Sequence, residues 1–210
     1  MVPTINVIIG EVQVETGTQT EVEAEFITAL TLGGGYAAGN ILQFRSRNIK
    51  SVTVISGFAS VNTVIYGGYG GKLKIFKNDI IAVERKANPD YADCCSVDAF
   101  KGAKAKVLVI HSKDDPICAI ACGLDYVRPR VSNPNVSYLE VEGKAHNPNY
   151  TADALSYMQQ TFGEYQALLK KHKLKTFEDK KAFMEKRDFR RMTEQDPEIW
   201  AAILRHMENS

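Results

Sequence analysis

Phe26-Ile-Thr-Ala-Leu-Thr-Leu32 runs into Gly33-Gly34-Gly35 and then into the stretch from Tyr36 to Arg47. The order reads as strand, tight turn and helix. Outward from this unit the pattern recurs. Ser51-Val-Thr-Val-Ile55 is a second strand, ending at Ser56-Gly57. Ala105-Lys-Val-Leu-Val-Ile110 is a third, β-branched and bounded by polar residues, and Val136-Ser-Tyr-Leu-Glu-Val141 is a fourth. Short apolar runs alternating with longer helical patterns predict an α/β fold, with a mostly parallel sheet and flanking helices.

Between the second and third strands, residues 58–104 read as a small lid insertion. They hold Gly67-Gly68-Tyr69-Gly70-Gly71, a mixed helical stretch to Arg85, and Asn88-Pro89. An insertion there is placed to cover the C-terminal strand ends, where ligands bind in open parallel sheets. Residues 1–25 match the pattern poorly. Val2 to Ile9 suits a strand, whereas the stretch from Glu11 to Glu25 alternates Val with Glu and Thr, so an edge strand and an unordered arm both stay open. Residues 26–210 are expected to form one domain.

The last 60 or so residues read as helical. Thr151 is a candidate cap for a helix through Leu169, and Thr176-Phe-Glu-Asp179 has capping-box-like spacing. Asp196-Pro197 places an N-cap residue before proline at the first helical position. The helix that follows would carry Ile199, Trp200, Ile203, Leu204 and Met207 on one packing face.

The totals are those of a globular chain. At 210 residues, 44% hydrophobic and 24% charged, the length suits one domain with its own core. A formal charge of +1 leaves no electrostatic footprint for nucleic acid or an acidic membrane surface. Charge is unevenly spread, however. Residues 1–31 hold Glu11, Glu15, Glu21, Glu23 and Glu25 with no Lys or Arg, and the last third is rich in Lys and Arg interleaved with acids, as on solvated helices. Cys94-Cys95 and Cys118-x3-Cys122 lack the second pair that a zinc site needs, so free thiols are expected. The N-terminal residues have neither a basic start nor a long apolar stretch, and the expected location is cytoplasmic.

The glycine turn has two chemical readings. Gly33-x-Gly35-x-x-Ala38 fits a dinucleotide motif, but the next strand ends Ile55-Ser56-Gly57 without the acid that would hold a ribose hydroxyl. The other reading is a nucleophile elbow, in which a strained turn lifts a serine above the sheet and small residues prevent clashes. In the frame G-x-S-x-G-G-Y, Leu32 occupies the serine position, and Gly34-Gly35-Tyr36 follow it in place.

Gly34-Gly35-Tyr36-Ala-Ala-Gly-Asn40, followed by Ile55-Ser56-Gly57-Phe58, resembles the elbow helix and next strand of the α/β-hydrolases. Val107-Leu-Val-Ile-His-Ser-Lys-Asp-Asp-Pro116 is similar to the strand and turn bearing that family's catalytic acid. Val141-Glu-Gly-Lys-Ala-His146-Asn147 is similar to its histidine loop. The three motifs stand in the family's chain order, and the likeness runs from about residue 28 to the C-terminus.

The resemblance implies a truncated α/β-hydrolase fold and a serine esterase- or peptidase-like hydrolase of ester or amide bonds. It implies no cofactor and no metal. Residue by residue it places the catalytic acid at Asp115, with Asp114 as the alternative, the catalytic histidine at His146, the nucleophile position at Leu32 and an oxyanion-hole N–H at Gly33. His111 and Ser56, at strand ends, take structural readings, and Ser56 as a substitute nucleophile is disfavoured for want of elbow geometry. Only 31 residues precede Leu32, and no segment matches the early strand whose loop gives the second oxyanion donor.

A chain without its serine is expected to be inactive as it stands, whether it is a fragment, the product of a frame error or a pseudoenzyme. The competing expectation is a non-catalytic ligand-binding or interaction protein on the same fold. The expected partner is a small ester or amide if the chain is active, with no nucleic acid and no membrane. Self-association is expected if the edge of the Phe26–Leu32 strand stays open, and Val2–Ile9 is the segment placed to cover it.

Overall fold

Ser51–Ile55 is buried at every position, Ser51 and Thr53 as fully as Val52, Val54 and Ile55, so both faces of this strand are covered. In the computed structural model, which describes residues 5–9, 26–30, 39, 49–67, 75–90 and 92–210, it is the centre of a five-stranded sheet. The strands are β1 (Ile5–Ile9), β2 (Phe26–Leu30), β3 (Ser51–Ile55), β4 (Lys106–Ser112) and β5 (Val136–Val141). They lie side by side in chain order, and each neighbouring pair is parallel. The α/β architecture is therefore the one that the alternating runs predict. Ile5–Ile9 takes the outer edge of β2, which makes Phe26–Leu30 an interior strand.

The chain divides into two compact units, one of Met1–Pro148 with Ala201–Ser210 and one of Asn149–Trp200. In the first, the β3–β4 connection carries α1 (Val61–Gly67), α2 (Lys77–Ala87) and α3 (Ser96–Lys101). The β4–β5 connection carries the short α4 (Leu124–Val127) between 3-10 turns at Ile120–Cys122 and Arg128–Arg130. Parallel neighbours need such crossovers. Val52 and Val54 of β3 pair in register with Val107 and Val109 of β4. All four join Phe100, Leu124 and Val127 in one buried cluster. Burying a side chain the size of Phe100, which is 1% exposed, is worth about 1.5–3 kcal/mol.

In the second unit α5 (Ala152–Lys170) starts at Thr151, whose side chain accepts from Ala154 N at 3.1 Å. α6 (Phe177–Met184) opens with a capping box. Thr176 Oγ1 accepts from Asp179 N at 3.1 Å, and Asp179 Oδ2 accepts from Thr176 N at 3.0 Å. α7 (Phe189–Met192) follows. It brings Arg191 onto Asp153 in a bidentate pair with both contacts at 2.7 Å.

The last helix, α8, runs Pro197–Glu208 after Asp196, whose Oδ1 accepts from Glu198 N at 2.9 Å. Ile199, Ile203 and Met207 are buried there, but Leu204 is 46% exposed and leaves the face that the spacing predicts. Among the described residues, no helix is long and apolar enough to cross a membrane, and the four cysteines are free, Cys118 and Cys122 buried, Cys94 and Cys95 half-buried.

Candidate active site

The site lies where β4 and β5 end. Pairing of Ser112 with Val141 sets the two strand ends level, so the loops that follow them leave the sheet side by side. After β4, Lys113-Asp114-Asp115-Pro116 turns the chain. Asp115 shapes that turn itself, since its Oδ1 accepts from Ile117 N and from Cys118 N, both at 2.8 Å. Oδ2 is directed away from the turn and meets His146 Nδ1 at 2.8 Å.

The β5 side is held by the neighbouring acid. Asp114 Oδ1 accepts from Gly143 N at 2.9 Å and from the Ser112 hydroxyl, and Asp114 Oδ2 accepts from Ala145 N at 3.2 Å. Gly143 and Ala145 have φ of 74° and 46°, the left-handed backbone that swings the chain from β5 to His146. Ala145 lacks glycine's freedom there, and such strain costs on the order of 1 kcal/mol. The bond to Asp114 offsets it.

Asp115 and His146 are 6% and 9% exposed. Burial pushes the Asp115 carboxyl up, but donors from His111, His146, Cys118 N and Ile117 N together outweigh it and hold the group well below the usual carboxylate range. Asp114 is also held below that range, by the Ser112 hydroxyl first and then by the loop N–H groups. An ionised Asp115 fixes the His146 proton on Nδ1 and leaves the Nε2 lone pair to act as a base. The tautomer follows from the partner, because a carboxylate only accepts.

Sequence reasoning left two neighbouring acids as candidates, and the structure brings Asp115 to His146 while Asp114 braces the loop beneath it. His111, taken as structural, is fully buried with Nε2 3.4 Å from Asp115 Oδ2. Ser56 carries φ of 53° and is fully buried, with its hydroxyl unpartnered among the described residues. Leu32 and Gly33, expected at the nucleophile position and the oxyanion hole, lie outside the described residues, as do Gly34, Gly35, Tyr36 and Tyr69. Among the described residues, no group of three or more His, Cys, Asp or Glu side chains is arranged to hold a metal ion.

No protein-family model matches the chain, and no curated protein matches it. Solved structures that it is similar to include esterases and peptidases. One is the esterase domain of a Rhodothermus marinus protein, 16% identical over 59% of this chain and 51% of that one, with a TM-score of 0.39. A second is the Pyrococcus horikoshii acylaminoacyl peptidase, 22% identical over 58% of this chain and 19% of that one, at 0.42. A third is a Mycobacterium tuberculosis puromycin-hydrolysing peptidase, 14% identical over 58% and 18%, at 0.44. The chain thus spans about half the length of the esterase domain and under one fifth of each peptidase. Likeness at this level assigns neither activity nor substrate, and the functional reading rests on the residues of the site.

Proposed function

We propose that this chain is a partial α/β-hydrolase in which Asp115 and His146 are the acid and base of a serine-hydrolase triad, with Leu32 in the nucleophile's place. The observation that carries this reading is the 2.8 Å contact between Asp115 Oδ2 and His146 Nδ1. It joins residues 31 apart in the chain across the loops of adjacent parallel strands. The intact chemistry is acyl transfer. His146 Nε2 takes the nucleophile's proton, the nucleophile attacks an ester or amide carbonyl, and the histidine returns the proton to the leaving group. Leucine offers no atom for the attack, so the chain keeps the proton-handling half of the reaction and turns over no substrate.

The competing reading, a ligand-binding protein on the same fold, draws on the same leucine. There the His146 Nε2 lone pair accepts a hydrogen bond from a small ligand that is held and not cleaved.

Fluorophosphonate labelling and p-nitrophenyl acetate turnover test activity directly. The expected result is no labelled residue, and turnover equal in the wild type and in His146→Ala. A single labelled residue whose labelling is lost in His146→Ala would overturn the inactive assignment. Leu32→Ser is expected to leave the rate far below that of an intact serine hydrolase, since an activated nucleophile needs its oxyanion donors as well as its base.

A further inference from the structure

We propose that His111 is a positioning residue, whose single N–H ties the Asp115 turn back onto β4 and leaves Asp115 Oδ2 directed at His146. This deepens the reading of Asp115 and His146 as an acid–base pair and rests on it. His111 is the penultimate residue of β4 and is completely buried. Its Nε2 stands 2.8 Å from the Cys118 carbonyl oxygen and 3.4 Å from Asp115 Oδ2. Both are acceptors, so Nε2 carries a proton. Nδ1 is buried with no partner among the described residues. A second proton there would bury an unpaired charged donor, so the ring is neutral, with its lone pair on Nδ1.

Three tethers then converge on one turn. Ile117 N and Cys118 N hold Asp115 Oδ1, and the Cys118 carbonyl is held by a ring rooted in the strand itself. With Oδ1 engaged by the backbone, Oδ2 is left to the two histidines.

The ring's own place is set by Gly123. A Cβ there would stand 2.8 Å from both Nδ1 and Cε1 of His111 and would overlap the Gly57 carbonyl oxygen. No real Cβ accepts such contacts, so a larger residue must part the Gly57 backbone from this turn as well as press on the imidazole. The close approach requires glycine.

The test reads His146, in the full chain without any ligand. Exchange of the His146 Nδ1–H proton with water is followed by NMR in the wild type and in His111→Phe, His111→Gln and Gly123→Ala. In the wild type that proton is expected to be protected. Phe keeps a ring but no donor, and losing the positioned carboxylate should speed exchange by about tenfold or more, as loss of one charge-assisted bond implies. Gly123→Ala, which presses on both the ring and the Gly57 carbonyl, should do the same. Gln carries an N–H where Nε2 stood and should stay near the wild-type rate.

Wild-type exchange rates in both His111→Phe and Gly123→Ala would overturn the proposal, and so would a Gln variant as fast as the Phe variant. If His111→Phe fails to fold, His111→Gln decides alone: exchange near the wild-type rate supports the donor role, and exchange about tenfold faster overturns it. A wild-type His146 proton without protection would instead refute the acid–base pair itself, and this inference with it.

Discussion

Replacing Asp115 by Asn changes one atom's chemistry and almost none of its shape. The amide oxygen can keep the two backbone N–H bonds at 2.8 Å. Its NH2 group then faces His111 Nε2 at 3.4 Å, donor against donor, and His146 Nδ1 at 2.8 Å, which accepts once the ring passes its proton to Nε2. Turning the amide over only moves the conflict to the backbone pair. A hydrogen bond to a charged group is worth about 1.5–3 kcal/mol, and a donor stranded in a buried site adds to its loss. Since His146 answers with its other tautomer and His111 keeps the Cys118 carbonyl at 2.8 Å, the cost is that of a charge-assisted bond replaced by a neutral one, about 1–2 kcal/mol. At about 2–4 °C per kcal/mol for a chain of this size, the melting temperature should fall by about 2–8 °C. Asp114→Asn is the control. That side chain is exposed, keeps one acceptor oxygen, and should cost about 1 kcal/mol or less.

The pH dependence follows from the low folded pKa of Asp115. A carboxylate whose pKa is depressed on folding contributes stability that is complete above its unfolded value, about 3.9, and is lost as pH falls below it. Urea denaturation at pH 7 and pH 5 should therefore show a gap between wild type and Asp115→Asn that does not close, and that narrows only below about pH 4. Equal costs for the Asp114 and Asp115 variants, or a gap that closes between pH 7 and 5, would refute the assignment of the donors to Asp115.

Two further tests address other parts of the fold. Burial pushes the Cys118 thiol up to about 12, so its thiolate is scarce at pH 8 and the sulfur is inaccessible in the folded chain. A disulfide reagent at pH 8 should modify Cys94 and Cys95 in the native protein and reach Cys118 and Cys122 only after denaturant is added. Equally fast reaction of all four would contradict the burial. In the second unit, Thr176→Ala removes one half of the α6 capping box and should cost about 1 kcal/mol by urea denaturation, with no change expected if that helix end is frayed.

Much of the architecture was legible because its causes are local. The bounds of Ser51–Ile55 and Val136–Val141 coincide with β-branched runs, the first buried at every position and the second, at the end of the sheet, mostly half-buried. Thr151, Thr176 and Asp196 were readable as caps because a cap joins groups two or three residues apart. The glycine turn around Leu32 was legible as a motif, and its geometry lies outside the described residues.

The tertiary structure decided what depends on partners distant in sequence. Adjacent carboxylates on a turn point in different directions, and only the level pairing of Ser112 with Val141 put Asp115 beside His146 and Asp114 under the loop. His111 and Asp115 would stand about 13 Å apart along an extended strand, and the reversal at Lys113–Pro116 brings them to 3.4 Å. Leu204 has helical spacing for the packing face, but a periodic pattern does not say how wide the covered stripe is. Val2–Ile9 reads as the strand placed to cover the Phe26 edge, and Ile5–Ile9 pairs there, but the parallel register, Ile5 on Phe26, is set by backbone hydrogen bonds that carry no side-chain signature.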